Sequence, residues 1–381
     1  MSSKLLVNVY INMIKNFLII VTLLVSSILS AKQWVEVYSD SPVESSFSYE
    51  SEGLASTRIT FKLSGYFTDN SKNGLKVTSP GGVSLLEKGA PDLPIFSTSI
   101  QAPDLAEMGI EIIESEFVEL NINDIIPSKG NVTRDVNIGS LPFEKGYRYR
   151  QNSLYPAEIS FLRRPHIIRS VRGQAVVFQP FQYNPGLGVL RIYTDIVLAI
   201  KQNGLSADNP LTRYPSTKRG VKEMESIYKN HFPNYMPINN RYTPLDENGS
   251  MLIICHAPFI EAMQPFIDWK VKKGIETTLI DVSTLGDADD IKAFVEEYYY
   301  NHGINFLLLV GDIDQIPSPR FSEGAGSNSP SDTYYGFIPA EDYYPDVFVG
   351  RFSAETEEHV NTMVNRTISY ERYPDTEDGS W

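Results

Sequence analysis

The spacing of apolar residues changes character part-way along this chain, and that change bounds the fold more tightly than any other feature. From Lys32 to about Tyr214 the period is two. Ile59, Phe61 and Leu63 alternate with Arg58, Thr60 and Lys62, as in a half-buried strand. Ala175 to Tyr183 and Val189 to Ile200 are apolar, β-branched runs joined by Asn184-Pro185-Gly186, a hairpin signal. Gly and Pro punctuate the rest, as in Gly89-Ala90-Pro91-Asp92-Leu93-Pro94. Short strands between such breakers predict a β-sandwich.

After Tyr242 short apolar runs alternate with helical spacing. Met251 to Cys255, Glu276 to Asp281, Phe306 to Val310 and Val347 to Gly350 read as strands. Between them, one helix carries Ile260, Met263, Ile267 and Val271 on a face, and the next carries Ile291, Phe294, Val295, Tyr298 and Tyr299. A last helix starts near Thr356 and carries Val360, Met363, Val364 and Ile368. Such alternation predicts a parallel sheet with helices on its faces. Ligands of these sheets bind beyond the carboxyl ends of the strands. Asp312 occupies such a position, although a strand-end Asp is also an ordinary turn or cap residue.

The two patterns are separate domains. At about 150 residues per domain, 381 residues allow two plus extras. Residues 1–241 hold 25 basic and 22 acidic side chains, a net of +3, whereas 242–381 hold 8 and 25, a net of −17. A charge break marks a domain boundary and favours docking of the first half on the second. It falls in a linker, 215–241, where a short helix from Val221 to Asn230 leads into a Pro- and Asn-rich stretch open to nicking. A net charge of −14 argues against nucleic acid as the partner. With 42% hydrophobic and 21% charged residues, the chain is neither a disordered polymer nor a multi-span membrane protein.

Residues 1–31 read as an export signal. Lys4 and Lys15 precede the apolar run Phe17 to Val25, followed by Ser26, Ser27, Ser30 and Ala31. The run is short for a membrane span, so the mature protein is expected to be secreted or held at the cell surface without a stable span. The single cysteine, Cys255, excludes a disulfide framework. It adjoins His256, but neighbours at a strand end point to opposite faces and do not easily share a proton. His166, His231, His302 and His359 share no spacing for metal or catalysis and read as surface or capping residues. No Walker loop and no dinucleotide fingerprint occur. The segment from Asp332 to Asp346 stands apart, because Asp342 and Asp346 bracket an irregular stretch before a strand. Such a loop can feed carboxylate and carbonyl oxygens to Ca²⁺, or can be a solvated acidic turn.

The second half resembles the gingipain family of cysteine peptidases. The matching words are Leu308-Leu309-Val310-Gly311-Asp312 with Ile316-Pro317, Ser331-Asp332 with Tyr335-Gly336, and Asp346-Val347-Phe348-Val349-Gly350-Arg351-Phe352-Ser353. Arg366-Thr367-Ile368 and Tyr370-Glu371-Arg372 continue them. The first half is similar to that family's propeptide through Gly89 to Pro94 and the hairpin. The resemblance implies a β-sandwich prodomain over 32–214, then the first α/β, caspase-like part of a catalytic domain over 242–381. It implies processing between Arg241 and Tyr242. It implies structural calcium held by Asp312, the Pro339 carbonyl, Asp342, the Tyr344 carbonyl and Asp346, with Asp346 shorter than the family's frequent Glu. Protein or peptide substrates and an intramolecular prodomain contact follow. The family's catalytic His and Cys lie downstream of the segment present, so both are expected after Trp381 and this stretch alone is expected to be inactive. The other reading of the residues is a non-catalytic, secreted calcium-binding surface or adhesion protein. A weaker third, a receiver-like signalling domain, conflicts with the export signal.

Overall fold

The computed structural model describes residues 32–133, 135–215, 222–237, 248–321, 329–338 and 342–374. The export signal, Arg241, Tyr242 and Pro339 fall outside these residues.

Among the described residues the first half contains thirteen strands. In chain order these are β1 (Gln33–Glu36), β2 (Ser46–Ser51), β3 (Ser56–Lys62), β4 (Gly65–Ser71), β5 (Gly74–Thr78), β6 (Val83–Ser84) and β7 (Pro94–Gln101). Then come β8 (Ala106–Asn121), β9 (Ser160–Leu162), β10 (His166–Ile168), β11 (Val171–Phe178), β12 (Phe181–Asn184) and β13 (Val189–Leu205). One sheet runs β10-β11-β7-β6, with β9 also on β11, and a second runs β12-β13-β3-β2, with β8 also on β13. The alternation read in the sequence places Ile59 and Phe61 inward, and both are fully buried. Phe61 lies 5.0 Å from Phe96 and 5.4 Å from Phe178 across the gap between sheets. Aromatic pairs at such separations fill a sandwich core. Asn184-Pro185-Gly186 turns β12 into β13, and the Asn184 side chain accepts from the Gly186 and Leu187 N–H groups.

Helix α1 (Lys222–His231) lies in the expected linker. The segment around it is not a free tether. Met224, Tyr228 and Phe232 are buried against Ile168 and Val171 of the prodomain. Asn234 bonds the backbone of Gln101, accepting from its N–H at 2.7 Å and donating to its carbonyl at 3.0 Å. Sequence polarity concealed this, because three apolar side chains on one helical face suffice to seat a short helix.

The second half contains β14 (Ser250–Cys255), α2 (Ile260–Lys272), β15 (Glu276–Asp281), α3 (Ala288–His302), β16 (Phe306–Val310), β17 (Phe348–Phe352) and α4 (Glu357–Arg372). The strands form one parallel sheet in the order β15-β14-β16-β17. Alternate residues of β14 and β16 face opposite layers. Leu252, Ile254, Leu307 and Leu309 pack on Ile291, Val295 and Tyr299 of α3. Ile253, Cys255, Leu308 and Val310 pack on Met263 and Phe266 of α2 and Val360 and Val364 of α4. Asp287 and Asp290 close a capping box on α3, and Gly303 ends it at φ 71°. The buried face of α2 is rotated from the expected one. Ala262, Met263, Phe266 and Lys270 are buried while Val271 is exposed. The Lys270 stem covers the core and its ammonium meets Glu371 of α4 at 2.6 Å, which a purely apolar pattern cannot foresee.

Candidate functional site

The carboxyl end of the parallel sheet is where a cleft is expected. Cys255 ends β14 there, fully buried, with its thiol directed to the His256 carbonyl at 3.4 Å. Burial, and then Asp281, pushes this thiol up to about 12. The His256 ring packs edge-on against Phe259, 5.1 Å between centroids. Cys255 is thus an inert core residue, consistent with neighbours that face apart. Asp312 follows β16 after Gly311, whose φ of 143° suits only glycine. It is half-buried and accepts from Ser353 Oγ at 2.8 Å. That bond, helped by the Ile313 N–H, lowers its pKa. Beside it Arg351 makes a knot that sequence reasoning did not single out. Its guanidinium meets Asp332 at 2.7 and 2.8 Å, the Gly311 carbonyl at 2.8 Å and the Ile316 carbonyl at 3.0 Å. Burial alone would raise Asp332, but Arg351 and Ser318 hold it low. The knot ties the loop after β16 to β17 on the cleft side.

Asp342, Tyr344 and Asp346 lie at the other end. They precede β17, whose Phe348 pairs with Phe306 while its Phe352 pairs with Val310. Asp312 follows the carboxyl end of that ladder and Asp346 precedes its amino end. The ladder alone is about 13 Å long at roughly 3.3 Å per residue. One calcium ion needs its oxygens within about 2.6 Å, so Asp312 cannot share an ion with Asp342 and Asp346. The sequence places Asp312 after one strand and Asp342 and Asp346 before another; the parallel register of those two strands is what sets them at opposite ends. Among the described residues no group of three or more His, Cys, Asp or Glu could hold a metal.

The acidic loop instead meets the prodomain. Ile167 N–H donates to Asp342 Oδ2 at 2.7 Å, and Asn209 Nδ2 donates to the same oxygen at 2.9 Å. Arg169 N–H donates to Asp346 Oδ1, and Ile338 N–H to its Oδ2 at 2.6 Å. Burial pushes the Asp346 carboxyl well up, opposed by these two N–H groups. Arg169 sits at the tip of the β10–β11 hairpin with φ 54°. Its guanidinium crosses into the α/β domain and donates to the carbonyls of Ile304 (2.6 Å), Gly303 (2.8 Å) and Asp346 (3.2 Å). It lies 5.1 Å from the Tyr299 ring. Arg213 adds a second cation contact, 3.7 Å above the Tyr300 ring.

Two histidines complete this seam, and neither is the surface residue that the sequence suggested. His166 is buried, its Nε2 3.1 Å from that of His231, and its ring stacks on Tyr344 at 4.3 Å. Burial, then His231 and Arg172, pushes His166 down to about 4. His302 does serve a helix end, and His359 lies in the first turn of α4. His302 Nδ1 lies 3.2 Å from the Tyr298 carbonyl in the last turn of α3, and the His359 N–H bonds the Thr356 hydroxyl that caps α4. No spacing rule links His166 to His231, because they meet only through α1 folding back. Arg169 carried one faint signal, a cation flanked by Ile167-Ile168 and Val171.

Comparison with known families agrees with this layout. The model for the C25 propeptide matches residues 48–235, and that for peptidase family C25 matches residues 244–381. The chain belongs to peptidase family C25. This C25 chain is similar to gingipain R1 of Porphyromonas gingivalis, 40% identical over 304 residues, 78% of this chain and 30% of that protein. Gingipain R2 from strain ATCC 33277 is 38% identical over 334 residues, 84% of this chain and 44% of the relative. The chain therefore spans less than half the length of these relatives. A solved complex of Porphyromonas gingivalis RgpB pro- and mature domains is 34% identical, with a TM-score of 0.43, covering 50% of this chain and 98% of that one. The C25 chain thus carries a gingipain-like propeptide and part of a cysteine-peptidase domain, and the propeptide match takes in α1. Among its described residues no helix is long and apolar enough to cross a membrane.

Proposed function

We propose that this chain is the leading part of an exported cysteine endopeptidase zymogen that hydrolyses peptide bonds in proteins or peptides. The carrying observation is the order of the two family matches, propeptide and then peptidase, over a sheet-rich domain docked on a parallel α/β domain. In such an enzyme a thiolate attacks the carbonyl carbon, an imidazole moves the proton, and fixed donors hold the oxyanion. Cys255, sealed in the core, does not supply that thiolate. This chain's own residues supply the sheet, the Arg351 knot beside its carboxyl end, and the prodomain clasp. Cleavage between Arg241 and Tyr242 would separate the two domains. Residues 1–31 would direct export.

A structural calcium fits only part of the residue set that the resemblance implies. Asp342, Asp346 and the Tyr344 carbonyl share one loop, Asp312 stands outside it, and Pro339 lies outside the described residues. The deciding experiment is to read the gene past Trp381, express the longer protein and treat it with a trypsin-like protease. The expected result is a new N-terminus at Tyr242 together with peptide hydrolysis that thiol alkylation abolishes. An open frame lacking a further His and Cys, or a processed protein without thiol-dependent hydrolysis, would overturn the reading.

A further inference from the structure

A cavity of about 260 Å³ lies in the seam between the two domains. The prodomain side supplies Ile168 from the β10–β11 hairpin and Met224 and Ile227 from α1, and the α/β side supplies Tyr344, Val347 and Phe348 from the run into β17. Ile168 and Met224 are buried, but Tyr344 is 36% and Phe348 38% exposed. Each of these two rings has a stacked neighbour, Tyr344 the His166 ring at 4.3 Å and Phe348 the Phe306 ring at 5.5 Å. The cavity thus opens to solvent past two fixed aromatic rings. Asp346 and His231 also border it. Both Asp346 oxygens already accept backbone N–H groups, from Arg169 and Ile338. His231 Nε2 lies 3.1 Å from His166 Nε2, and burial lowers the His231 pKa, so this imidazole is neutral near pH 7. An apolar guest would meet an apolar wall, whereas a charged one would lose its hydration beside groups that are already engaged.

We propose that this cavity binds a small, uncharged aromatic molecule, and that the bound molecule locks the prodomain in place. Size sets the class of ligand. A dry apolar cavity of about 150 Å³ takes benzene, so this larger one suits a bicyclic ring system. Continuity with the docking interface sets the consequence. The walls come from both domains, so only the docked state presents the whole site. A ligand that binds one state alone shifts the equilibrium towards it, by one plus the ratio of its concentration to its dissociation constant. The occupied cavity therefore slows loss of the prodomain. The binding claim stands on the docked structure, and the resulting delay in activation rests on the zymogen reading above.

The test titrates the whole chain with indole in a calorimeter, as wild type, Ile227→Trp and Phe348→Ala, with glycerol, which should not bind, as the polar control. The Ile227→Trp change fills the cavity from the α1 side, and Phe348→Ala removes part of the opposite wall. The expected result is one indole bound per wild-type chain, at least tenfold weaker binding by Phe348→Ala and none by Ile227→Trp. A second arm nicks the linker and follows prodomain release by size exclusion, where saturating indole should slow release of the wild-type prodomain at least threefold. No indole binding by wild type, equal affinity in wild type and both variants, or release that indole leaves unchanged or accelerates overturns the proposal. Should the variants misfold, the wild-type titration and the release arm decide. A longer protein that binds indole but gains no peptidase activity on processing removes the zymogen reading and leaves the site standing.

Discussion

Replacing Arg169 by Ala should unlatch the prodomain. The guanidinium makes three hydrogen bonds to the carbonyls of Gly303, Ile304 and Asp346, all across the domain boundary. Hydrogen bonds from a charged donor contribute about 1.5–3 kcal/mol each, but a shared donor does not sum them. Truncation removes this charged donor from three carbonyls while keeping the Arg169 N–H that Asp346 Oδ1 accepts, and the combined loss is about 3–5 kcal/mol. That range is roughly a 10²- to 10⁴-fold loss of prodomain affinity. The assay is to nick the linker, immobilise the α/β domain and measure prodomain dissociation by biolayer interferometry. Arg191→Ala is the control. Arg191 bonds Glu119 on the far sheet, with the glutamate side chain 45% exposed, and an exposed pair is worth at most about 1 kcal/mol. A change under tenfold for Arg169→Ala, or an equal loss for Arg191→Ala, would refute the claim that the hairpin tip carries the docking.

Three further outcomes follow from the same geometry. Calcium protection against heat should vanish in nicked Asp342→Ala and persist in nicked Asp312→Ala, because the two acids flank opposite ends of the β16–β17 ladder; differential scanning fluorimetry with and without chelator reads it. Cys255 should resist iodoacetamide at pH 8 in the native chain and label fully in urea, since burial pushes its thiol up to about 12 and leaves it protonated; native labelling at the rate of a free thiol would contradict the core assignment. Burial alone would raise Glu371, but Lys270, Lys273 and Trp269 draw it down to about 2, so its contribution is complete above the unfolded value near 4.5 and is lost as pH falls towards 2. Urea melts at pH 6 and pH 3 should differ by about 1–2 kcal/mol less in Glu371→Gln than in the parent, the figure being reduced for its partial solvation.

Much of the fold was legible because its cause is local. Alternation at Ile59, Phe61 and Leu63 and the Asn184-Pro185-Gly186 turn dictate strands whatever packs above them. The three-four spacing at Ile291, Val295 and Tyr299 likewise dictates a helix. The words from Leu308 to Ser353 carried the family, since they combine strand, turn and loop residues that packing alone would not demand. Where a polar residue substitutes for an apolar one, as Lys270 does, local pattern misleads, because the decision belongs to a partner helix 101 residues away.

The site was less legible for a physical reason. Carboxylates, imidazoles and guanidinia act through distance, and distance between segments is set by register and docking. The chain alone determined that Asp342 and Asp346 share a loop and that Asp312 ends a strand. Only the parallel pairing of β16 with β17 placed them at opposite ends of the sheet. Only the return of α1 brought His231 to His166, and only the docking of one domain on the other converted an unremarkable Ile-Ile-Arg-Ser tip into a buried clasp. Short-range order follows from steric and hydrophobic periodicity; long-range meetings of charged groups are settled by tertiary packing, which must find each buried charge a partner.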